Sequence, residues 1–326
     1  MRSVVVAGHV CVDFIPEVRA GAAAAPGELL EVGPLGVHAG GCVANTGADL
    51  AALGADVDVV ADVGADALGD LLVALLRARG TRTDQIRPRA GASTSYSLVF
   101  EEAGRDRSFW HHVGANAGFD GSAVDLAGAR ALHVGYPSLL PGLIADGGRA
   151  LEALLERARA AGVTTSLDLA VIDPGSPAAS VDWRALLRRV LPLVDVFSPS
   201  VDDVRTALRV EAGSDPGDLR RTAAMLLELG PAVVMLTAGA AGLQLSTGHA
   251  DRLEAVSGER AREWSGQEHF TPPSPGAVRT TLGAGDAATA GLLYGLLTGR
   301  DPRDALELAA RTAAARVAGE PPALKE

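Results

Sequence analysis

The sequence predicts an α/β fold of the doubly wound type, in which helices cover both faces of a mainly parallel sheet. Short runs of β-branched residues alternate with longer stretches rich in alanine and leucine along most of the chain. The expected strands are nearly all apolar, which is typical of a parallel sheet buried on both sides. A length of 326 residues suits a single domain of this kind, residues 1–326, with a small appendage.

Each predicted strand is a short apolar run, and most are followed by a stretch with helical periodicity. The strands are expected at residues 3–7, 57–63, 131–135, 164–169, 194–198 and 232–237. The helices are expected at residues 43–53, 68–79, 147–161, 201–209, 219–229 and 287–297. Residues 257–276 and the tail after Gly319 are expected to be the loosest parts of the chain.

Two segments interrupt this alternation, residues 14–38 and 89–112, and together they predict a small antiparallel sheet. Its strands are expected at residues 29–32, 36–38, 93–101 and 107–112, with a turn at residues 103–106. Neither segment fits inside a strand–helix unit. We expect the small sheet to act as a lid over a ligand site at the carboxyl edge of the large sheet.

The charge and the lysine content exclude several classes of protein. Lys and Arg total 29 against 40 Asp and Glu, a net charge of −11, and no basic cluster suited to a nucleic acid is present. The single lysine is Lys325, whereas a Walker A loop, a protein kinase and Schiff-base chemistry each need a lysine within a specific motif. A phosphate-handling protein with this sequence must therefore use backbone amides, arginine and a metal ion.

The cysteines and the apolar segments predict a cytoplasmic protein. Cys11 and Cys42 are too few for a disulfide framework or a zinc cluster. The apolar run at residues 4–7 is too short for the core of a signal peptide. No segment approaches the roughly 20 apolar residues that span a bilayer, so no membrane role is expected.

The sharpest motif is residues 280–286, Thr-Thr-Leu-Gly-Ala-Gly-Asp, directly before a predicted helix. Small residues at a helix start leave its first N–H groups open, and these groups form an anion site together with the helix dipole. Asp286 lies in the first turn, where its carboxylate could accept a proton from a hydroxyl that attacks a bound phosphoryl group. The residues equally allow a simple helix cap, in which the glycines only form the turn.

A second motif is residues 38–47, His-Ala-Gly-Gly-Cys-Val-Ala-Asn-Thr-Gly. Gly40 and Gly41 precede a predicted helix and allow a ligand to approach the backbone closely. Asn45, one turn later, offers both a donor and an acceptor to vicinal hydroxyl groups. This motif is suited to binding a polyol, although a glycine pair before a helix is weak support when taken alone.

Together, the two motifs resemble the paired sequence patterns of the ribokinase-like, or pfkB, family of carbohydrate kinases. They occur in the same order and at a matching separation, and the resemblance covers essentially the whole chain. It implies a doubly wound α/β domain with a β lid, and ATP-dependent phosphorylation of a hydroxyl on a small sugar or sugar-like substrate with Mg²⁺. A nucleoside kinase on the same fold and a non-catalytic metabolite-binding protein stay open as alternatives.

The resemblance also implies roles for individual residues in catalysis and nucleotide binding. Asp286 would be the catalytic base, and the N–H groups of Gly283, Ala284 and Gly285 would form an anion hole for the transferred phosphoryl group. Residues 237–242 resemble the nucleotide loop of the family. The residues expected beside ATP are Thr237, Gly239, Gly242 and Ser200.

The expected acceptor site draws on separate parts of the chain. By the same resemblance, Asp13 would bind substrate hydroxyls, with Gly40, Gly41 and Asn45 as its partners. Asn116 follows the last lid strand and is expected to line the same pocket. Asp168 ends a predicted strand, where it could face a ligand or order the next loop.

Three departures from the family pattern change what is expected. Thr280 replaces an aspartate that takes part in a monovalent-cation site in many members, so weak potassium binding is predicted. The pattern Asn-x-x-Glu, linked to Mg²⁺, appears as Ser200-Val201-Asp202-Asp203, in which Asp203 keeps a carboxylate for a water-mediated contact with Mg²⁺. Residues 132–137 lack the glutamate of some ribose-directed members, so ribose is not the expected substrate.

The remaining expectations concern the lid. Arg105 and Arg107 of its hairpin could reach the substrate or a phosphate, but solvated charges are the favoured interpretation. His111 and His112 would point to opposite faces of a strand and therefore cannot bind a metal together. The apolar strand at residues 96–100 predicts a homodimer formed through the lid.

Overall fold

A computed structural model describes residues 3–18, 25–100, 107–249, 260–273 and 276–322. The strands within these ranges are β1 (Ser3–Gly8), β2 (Cys11–Pro16), β3 (Leu35–Gly40), β4 (Val57–Gly64), β5 (Arg82–Arg89), β6 (Tyr96–Phe100), β7 (Ser108–His112), β8 (Ala129–Gly135), β9 (Thr164–Leu167), β10 (Val196–Phe197), β11 (Val233–Thr237), β12 (Leu243–Thr247) and β13 (Glu268–Thr271). The helices are α1 (Cys42–Ala52), α2 (Ala67–Ala78), α3 (Pro141–Ala160), α4 (Trp183–Val190), α5 (Val201–Leu208), α6 (Pro216–Leu227), α7 (Ala261–Trp264), α8 (Ala284–Leu297) and α9 (Pro302–Ala318).

The large sheet has the order β13-β12-β11-β10-β9-β8-β1-β4-β5. The pairs from β11 through β5 are parallel, and β12 and β13 add an antiparallel edge. The chain runs outward from β1 to β5 on one side and then returns to place β8 against the other side of β1. In open α/β sheets, ligands bind at such a switch point, outside the carboxyl ends of the strands. The switch point lies here between β1 and β8.

Two apolar layers confirm the doubly wound arrangement. Strand β1 alternates between them, with Val5 and Ala7 in one layer and Val4 and Val6 in the other. Helices α3 to α6 contribute to the first layer, and α1, α2, α8 and α9 contribute to the second. The continuous apolar strands of the sequence therefore lie between two layers of helices, as predicted.

A second, smaller sheet has the order β3-β2-β6-β7. It is attached at the switch point, because β2 starts three residues after the end of β1 and β3 leads into α1 through Gly41. The predicted strand at residues 29–32 is wrong, since these residues form no strand and Leu29 is 92% exposed. The predicted turn at residues 103–106, with Arg105, lies outside the described residues.

The predictions missed elements that lack a continuous apolar run. Strand β5 is an edge strand that carries several charged residues and Pro88, and β13 forms the opposite edge. Strand β12 and helices α4 and α9 were also not predicted. Residues 260–273 were expected to be loose, and this was wrong, because they contain α7 and β13.

Helix α3 shows why the predicted helix began at residue 147. Its backbone leaves the helical conformation at residues 145–148, where Gly147 and Gly148 have φ values of 69° and 85°. The predicted segment corresponds to the regular part of the helix after this break. No helix in the described ranges is long and apolar enough to cross a membrane.

Candidate active site

A cleft with a volume of about 1570 Å³ opens at the carboxyl edge of the large sheet. Its walls come from the loops that follow β1, β8, β9, β10 and β11, from the second sheet and from the start of α8. The residues predicted for catalysis and most of those predicted for binding meet in this cleft. Among the predicted residues, those that line it are Asp13, Gly41, Asn45, Ser200, Asp203, Thr237, Gly239, Gly242, Gly283, Ala284, Gly285 and Asp286.

Asp286 lies in the first turn of α8, and its side chain is held by other parts of the fold. Its Oδ2 atom accepts hydrogen bonds from Asn45 Nδ2 at 3.0 Å and from the Tyr136 hydroxyl at 2.8 Å. Its Oδ1 atom accepts one from the Thr46 hydroxyl at 3.2 Å. The start of α8 has no side-chain cap. The alternative that Asp286 only caps its helix is therefore wrong.

The surroundings of Asp286 are suited to a base. Burial raises the pKa of Asp286 above its ordinary value, although the hydrogen bonds from Tyr136, Asn45 and Thr46 act in the opposite direction. A base works best when its pKa lies near the working pH, and burial moves a carboxylate toward that range. A carboxylate has about four acceptor positions and the described residues fill three, so one is left for a substrate hydroxyl.

The glycine-rich loop before Asp286 places N–H groups at the positive end of α8. Gly283 has a φ of 75°, a left-handed conformation that favours glycine, and a Cβ atom there would lie 3.1 Å from Asn45 Nδ2. The N–H of Ala284 donates to the Thr281 carbonyl at 3.3 Å. Among the described residues, the N–H groups of Gly283 and Gly285 have no acceptor. Two of the three predicted N–H groups are thus open to an anion.

Asp13 lies on β2, opposite His38 of β3. It is buried, and its Oδ1 accepts a hydrogen bond from the Cys11 thiol at 3.2 Å. Burial raises the pKa of Asp13, and hydrogen bonds from Cys11 and Ser97 oppose this rise. A Cβ atom at Gly40 would lie 2.0 Å from Asp13 Oδ2. The absence of a side chain at Gly40 therefore leaves room for the Asp13 carboxylate. Gly40 itself is not among the described residues that line the cleft.

Asn116 is placed differently from the expectation. Its side chain is fully buried, its Nδ2 donates to the Val10 carbonyl at 2.9 Å, and its Oδ1 accepts from the Val10 N–H at 3.4 Å. It is not among the described residues that line the cleft. Asn116 thus fixes the short link between β1 and β2, which carries His9.

Tyr136 was not predicted as a site residue, yet it lies at the switch point directly after β8. Its φ of 62° is unusual for a residue with a side chain, and such backbone strain is held in place only by surrounding contacts. Its hydroxyl donates to Asp286, and its ring stacks on His9 with a centroid distance of 5.9 Å. The sequence gives no signal for this contact, because 150 residues separate Tyr136 from Asp286.

Two histidines form the wall between the large and the second sheet. His9 Nε2 lies 3.3 Å from His111 Nε2, and His111 Nδ1 lies 3.1 Å from the Ser97 hydroxyl. Burial and the neighbouring His111 lower the pKa of His9 well below its ordinary value. Burial and the charge of His112 lower the pKa of His111 to about 4. Both rings are therefore neutral near pH 7 and can exchange hydrogen bonds with hydroxyl groups.

The predicted nucleotide loops lie side by side at the other end of the cleft. Ser200 and Thr237 form an isolated parallel bridge, and the Thr237 N–H donates to the Pro199 carbonyl at 3.0 Å. The loop after β11 is closed by a hydrogen bond from the Ala238 N–H to the Gly242 carbonyl at 2.9 Å. Thr237, Gly239 and Gly242 all line this part of the cleft.

Three buried carboxylates, those of Asp168, Asp203 and Asp286, line the cleft. Asp203 and Ser200 form a capping box at the start of α5, in which Asp203 Oδ2 accepts from the Ser200 N–H at 2.8 Å. Burial raises the pKa of Asp203 to about 6. Burial and the charges of Asp203 and Asp286 raise the pKa of Asp168 well above its ordinary value. A bound cation would relieve this crowding of negative charge.

These carboxylates fit Mg²⁺ only if other ligands complete its shell. The described residues contain no group of three or more His, Cys, Asp or Glu arranged to hold a metal ion. Mg²⁺ usually keeps several waters and binds through one or two carboxylates together with substrate phosphates. Asp168 and Asp203 meet that requirement, and Asp203 was the residue predicted from the sequence.

A sequence model of the pfkB family of carbohydrate kinases matches residues 1–321 of the chain. The chain therefore belongs to the pfkB family, as its motifs predicted, and is a carbohydrate kinase of a family that uses ATP.

Named relatives are similar over most of their length. The 2-dehydro-3-deoxygluconokinase of Thermoproteus tenax is 28% identical over 303 residues, which cover 90% of this chain and 83% of that protein. A fructokinase of Klebsiella pneumoniae is 28% identical over 324 residues, covering 96% of this chain and 91% of that protein. The structure of Arabidopsis thaliana ribokinase, complexed with ribose and ATP, aligns with a TM-score of 0.73 at 21% identity, covering 97% of this chain and 92% of that one. This last similarity confirms the fold.

Proposed function

We propose that this kinase transfers the γ-phosphoryl group of ATP to a hydroxyl of a small sugar, with Asp286 as the catalytic base. The observation that carries the proposal is the position of Asp286. A buried carboxylate with a raised pKa lies in the cleft, in the first turn of α8, beside two open N–H groups of the glycine-rich loop. A base and an anion site at one point are what in-line phosphoryl transfer needs.

The chemical step then follows from these residues. Asp286 accepts the proton of the acceptor hydroxyl while the hydroxyl oxygen forms a bond to the γ-phosphorus of ATP. The bond between that phosphorus and the bridging oxygen breaks, and ADP leaves with the electron pair. The N–H groups of Gly283 and Gly285 stabilise negative charge on the phosphoryl oxygens during the transfer. Tyr136, Asn45 and Thr46 hold the carboxylate in its orientation.

The nucleotide is proposed to lie along the loops that contain Ser200 and residues 237–242. Support comes from their shared place in the cleft and from the bridge between Ser200 and Thr237. Mg²⁺ would be held near Asp203 and Asp168 through water and the phosphates. It would neutralise phosphate charge.

The acceptor is proposed to bind between Asp13, Asn45 and the two histidines. Asp13 can accept hydrogen bonds from hydroxyl groups, and neutral His9 and His111 can donate or accept them. This set of groups suits a polyhydroxylated molecule. The 2-dehydro-3-deoxygluconokinase and the fructokinase among the relatives are named for an acidic and a neutral sugar, so both kinds of sugar are reasonable acceptors to test.

The second sheet is proposed to close over the acceptor as a lid, because His111 of β7 reaches His9 across the cleft. A homodimer through this sheet stays a prediction. Strand β6 lies between β2 and β7 and has no open edge, so two copies would have to pack through exposed side chains such as Trp110, which is 67% exposed. The cytoplasmic location also stays a prediction.

The test is ATP consumption by the purified protein with Mg²⁺ over a panel of neutral sugars, acidic sugars and nucleosides, with and without K⁺. Asp286→Asn protein provides the background rate. We expect one sugar to be phosphorylated, with a product mass that increases by one phosphoryl group. Phosphorylation confined to nucleosides would assign the protein to the nucleoside kinases instead, and weak dependence on K⁺ is expected because of Thr280.

A further inference from the structure

A row of polar side chains crosses the second sheet and ends at the wall of the cleft. Asp13 of β2 lies opposite Ser97 of β6, and Ser97 lies opposite His111 of β7. Residues that lie directly opposite one another on neighbouring strands point to the same face of a sheet. Beyond the sheet, His111 contacts His9 in the link between β1 and β2. Asp13, His111 and His9 line the cleft, and Ser97 is buried.

The hydrogen bonds of this row run in one direction. The Asp13 carboxylate accepts hydrogen bonds from the Cys11 thiol and from the Ser97 hydroxyl. A hydroxyl has one hydrogen atom, so the Ser97 oxygen can only accept from His111 Nδ1, which lies 3.1 Å away. His111 Nδ1 therefore carries the ring proton. Because His111 is neutral near pH 7, its Nε2 atom is an acceptor.

The same count fixes the proton of His9. Its Nε2 atom lies 3.3 Å from His111 Nε2, and two acceptors do not bond to each other, so the proton belongs to His9 Nε2. His9 is neutral as well, which leaves its Nδ1 with a lone pair and no proton. This result does not depend on the orientation of the His9 ring. Whichever of its two nitrogens faces His111, the other nitrogen is an acceptor.

The free nitrogen of His9 lacks a donor. His9 is 3% exposed, and its Nδ1 atom has no hydrogen-bond partner among the described residues. The atom faces Gly41, where an added Cβ would lie 2.6 Å from it, and both residues line the cleft. A buried acceptor without a donor is unfavourable. A ligand that supplies a donor to this nitrogen therefore gains affinity.

We propose that the row of Asp13, Ser97 and His111 makes His9 a specificity-determining residue, whose free nitrogen accepts a hydrogen bond from a hydroxyl of the sugar. The inference rests on the proposed function and deepens it. Within the described residues, the contact with His111 is the one side-chain hydrogen bond of the His9 ring, so the ring can turn to meet the hydroxyl.

The row selects the chemistry of the acceptor at this wall. A keto oxygen or a carboxylate oxygen has no proton to donate to His9. A carboxylate at this position would also be repelled by Asp13. A neutral part of the sugar that carries a hydroxyl fits here, and a sugar acid would have to place its carboxylate elsewhere.

The other possible role of the row is a contact that only joins the two sheets. Such a contact needs no particular tautomer, whereas the proposal requires the proton of His111 on Nδ1. Nitrogen NMR of protein labelled with ¹⁵N in its histidines distinguishes a protonated from an unprotonated ring nitrogen. This measurement needs no sugar.

The first experiment records these spectra at neutral pH for wild type, Ser97→Ala, Ser97→Thr and Ser93→Ala. We expect the proton on His111 Nδ1 in wild type and in Ser97→Thr, which keeps the hydroxyl. In Ser97→Ala this nitrogen loses its acceptor, so part of the protein should carry the proton on Nε2. Ser93→Ala is the matched control and should match wild type, because the Ser93 hydroxyl lies 2.8 Å from His112 Nε2, outside the row.

Two results of this experiment would overturn the proposal. One is a proton on His111 Nε2 in wild type, because the free nitrogen of His9 is then no longer fixed as an acceptor. The other is an identical spectrum for Ser97→Ala and wild type, because Ser97 then does not set the tautomer.

The second experiment measures kcat/KM for the sugar with the highest turnover in the ATP assay and for its monodeoxyfluoro analogues, with wild-type and His9→Phe protein. Fluorine cannot donate a hydrogen bond, so at one hydroxyl its introduction should lower kcat/KM of wild type about 10-fold or more. His9→Phe keeps an aromatic ring beside Tyr136 but has no acceptor, so the extra loss with that analogue should disappear. Comparing the two proteins cancels the effect of fluorine on the reactivity of the sugar.

An equal loss in both proteins at every position would overturn the role of His9. If wild type phosphorylates no sugar, the proposed function fails, and the NMR spectra still decide separately whether the row fixes the tautomers. Circular dichroism checks folding. Ser97→Ala, which frees the tautomer, carries the kinetic comparison if His9→Phe does not fold.

Discussion

The two halves of the cleft are built in different ways. The half proposed to bind the nucleotide, the nucleotide half, consists mainly of loops and helix starts, where Ser200, Thr237 and the glycine-rich loop bring backbone groups to the cleft. The half proposed to bind the acceptor, the acceptor half, consists of side chains from distant elements, since His9 contacts His111 and Asp286 contacts Tyr136. Backbone recognition suits a donor common to a whole family, whereas side chains can vary with the acceptor. Substitutions in the nucleotide half should therefore change the kinetic constants for ATP and Mg²⁺, and substitutions in the acceptor half should change those for the acceptor.

The largest effect is expected where the halves meet. Asp286→Asn keeps the shape of the side chain but removes the base, so kcat should fall about 100- to 10,000-fold. Binding of ATP should change little, because the loops that hold the nucleotide are untouched. The measurement is turnover at saturating ATP and acceptor, with Asp70→Asn on the exposed face of α2 as the control. A folded Asp286→Asn protein with full turnover would falsify the assignment.

A smaller effect is expected in the nucleotide half. Asp203→Asn removes a carboxylate proposed to bind Mg²⁺ through water, so the Mg²⁺ concentration for half-maximal rate should rise about 10- to 100-fold. KM for the acceptor should stay the same. Asp202→Asn is the matched control, because Asp202 is the neighbouring carboxylate and is exposed. An unchanged Mg²⁺ requirement in Asp203→Asn would remove Asp203 from the site.

In the acceptor half, His111→Ala should act on the acceptor alone. The loss of a neutral hydrogen-bonding group predicts an increase of about 3- to 10-fold in KM for the sugar, with KM for ATP unchanged. His112→Ala changes the next residue of β7 and should leave both constants as they are. A parallel increase in both KM values would show that the two halves do not act separately.

The smallest effect is a change in the pH profile. The hydrogen bond from Tyr136 lowers the pKa of Asp286 against the effect of burial. Tyr136→Phe removes that bond, so the pKa of Asp286 should rise further. The base must be deprotonated, and the acid limb of kcat/KM should therefore move to higher pH. The measurement is the pH profile of kcat/KM for Tyr136→Phe and for the control Tyr294→Phe, which removes a hydroxyl on α8 that is not among the described lining of the cleft. Identical profiles for the two variants would contradict the prediction.

The sequence predicted more of the nucleotide half than of the acceptor half. The glycine-rich loop, the loop at residues 237–242 and the start of α5 are each contiguous in the chain, so their motifs are local. Tyr136 and His9 carry no such motif, because their role depends on β1 and β8 being neighbours. Asn116 is the opposite case, a residue that was predicted for the pocket but is not among the described residues that line the cleft. It was expected in the pocket by its place in the sequence, yet its amide pairs with the backbone of Val10.

The sequence by itself determined the α/β class, the main parallel strands, the family and the identity of Asp286 as the candidate base. These properties depend on apolar periodicity and on short motifs, which physical interactions between near neighbours impose on the chain. Only the tertiary structure decided which strand ends meet, and with them the contacts of Asp286 with Tyr136 and of His9 with His111. Such contacts join residues more than a hundred positions apart, and packing of the whole sheet brings them together.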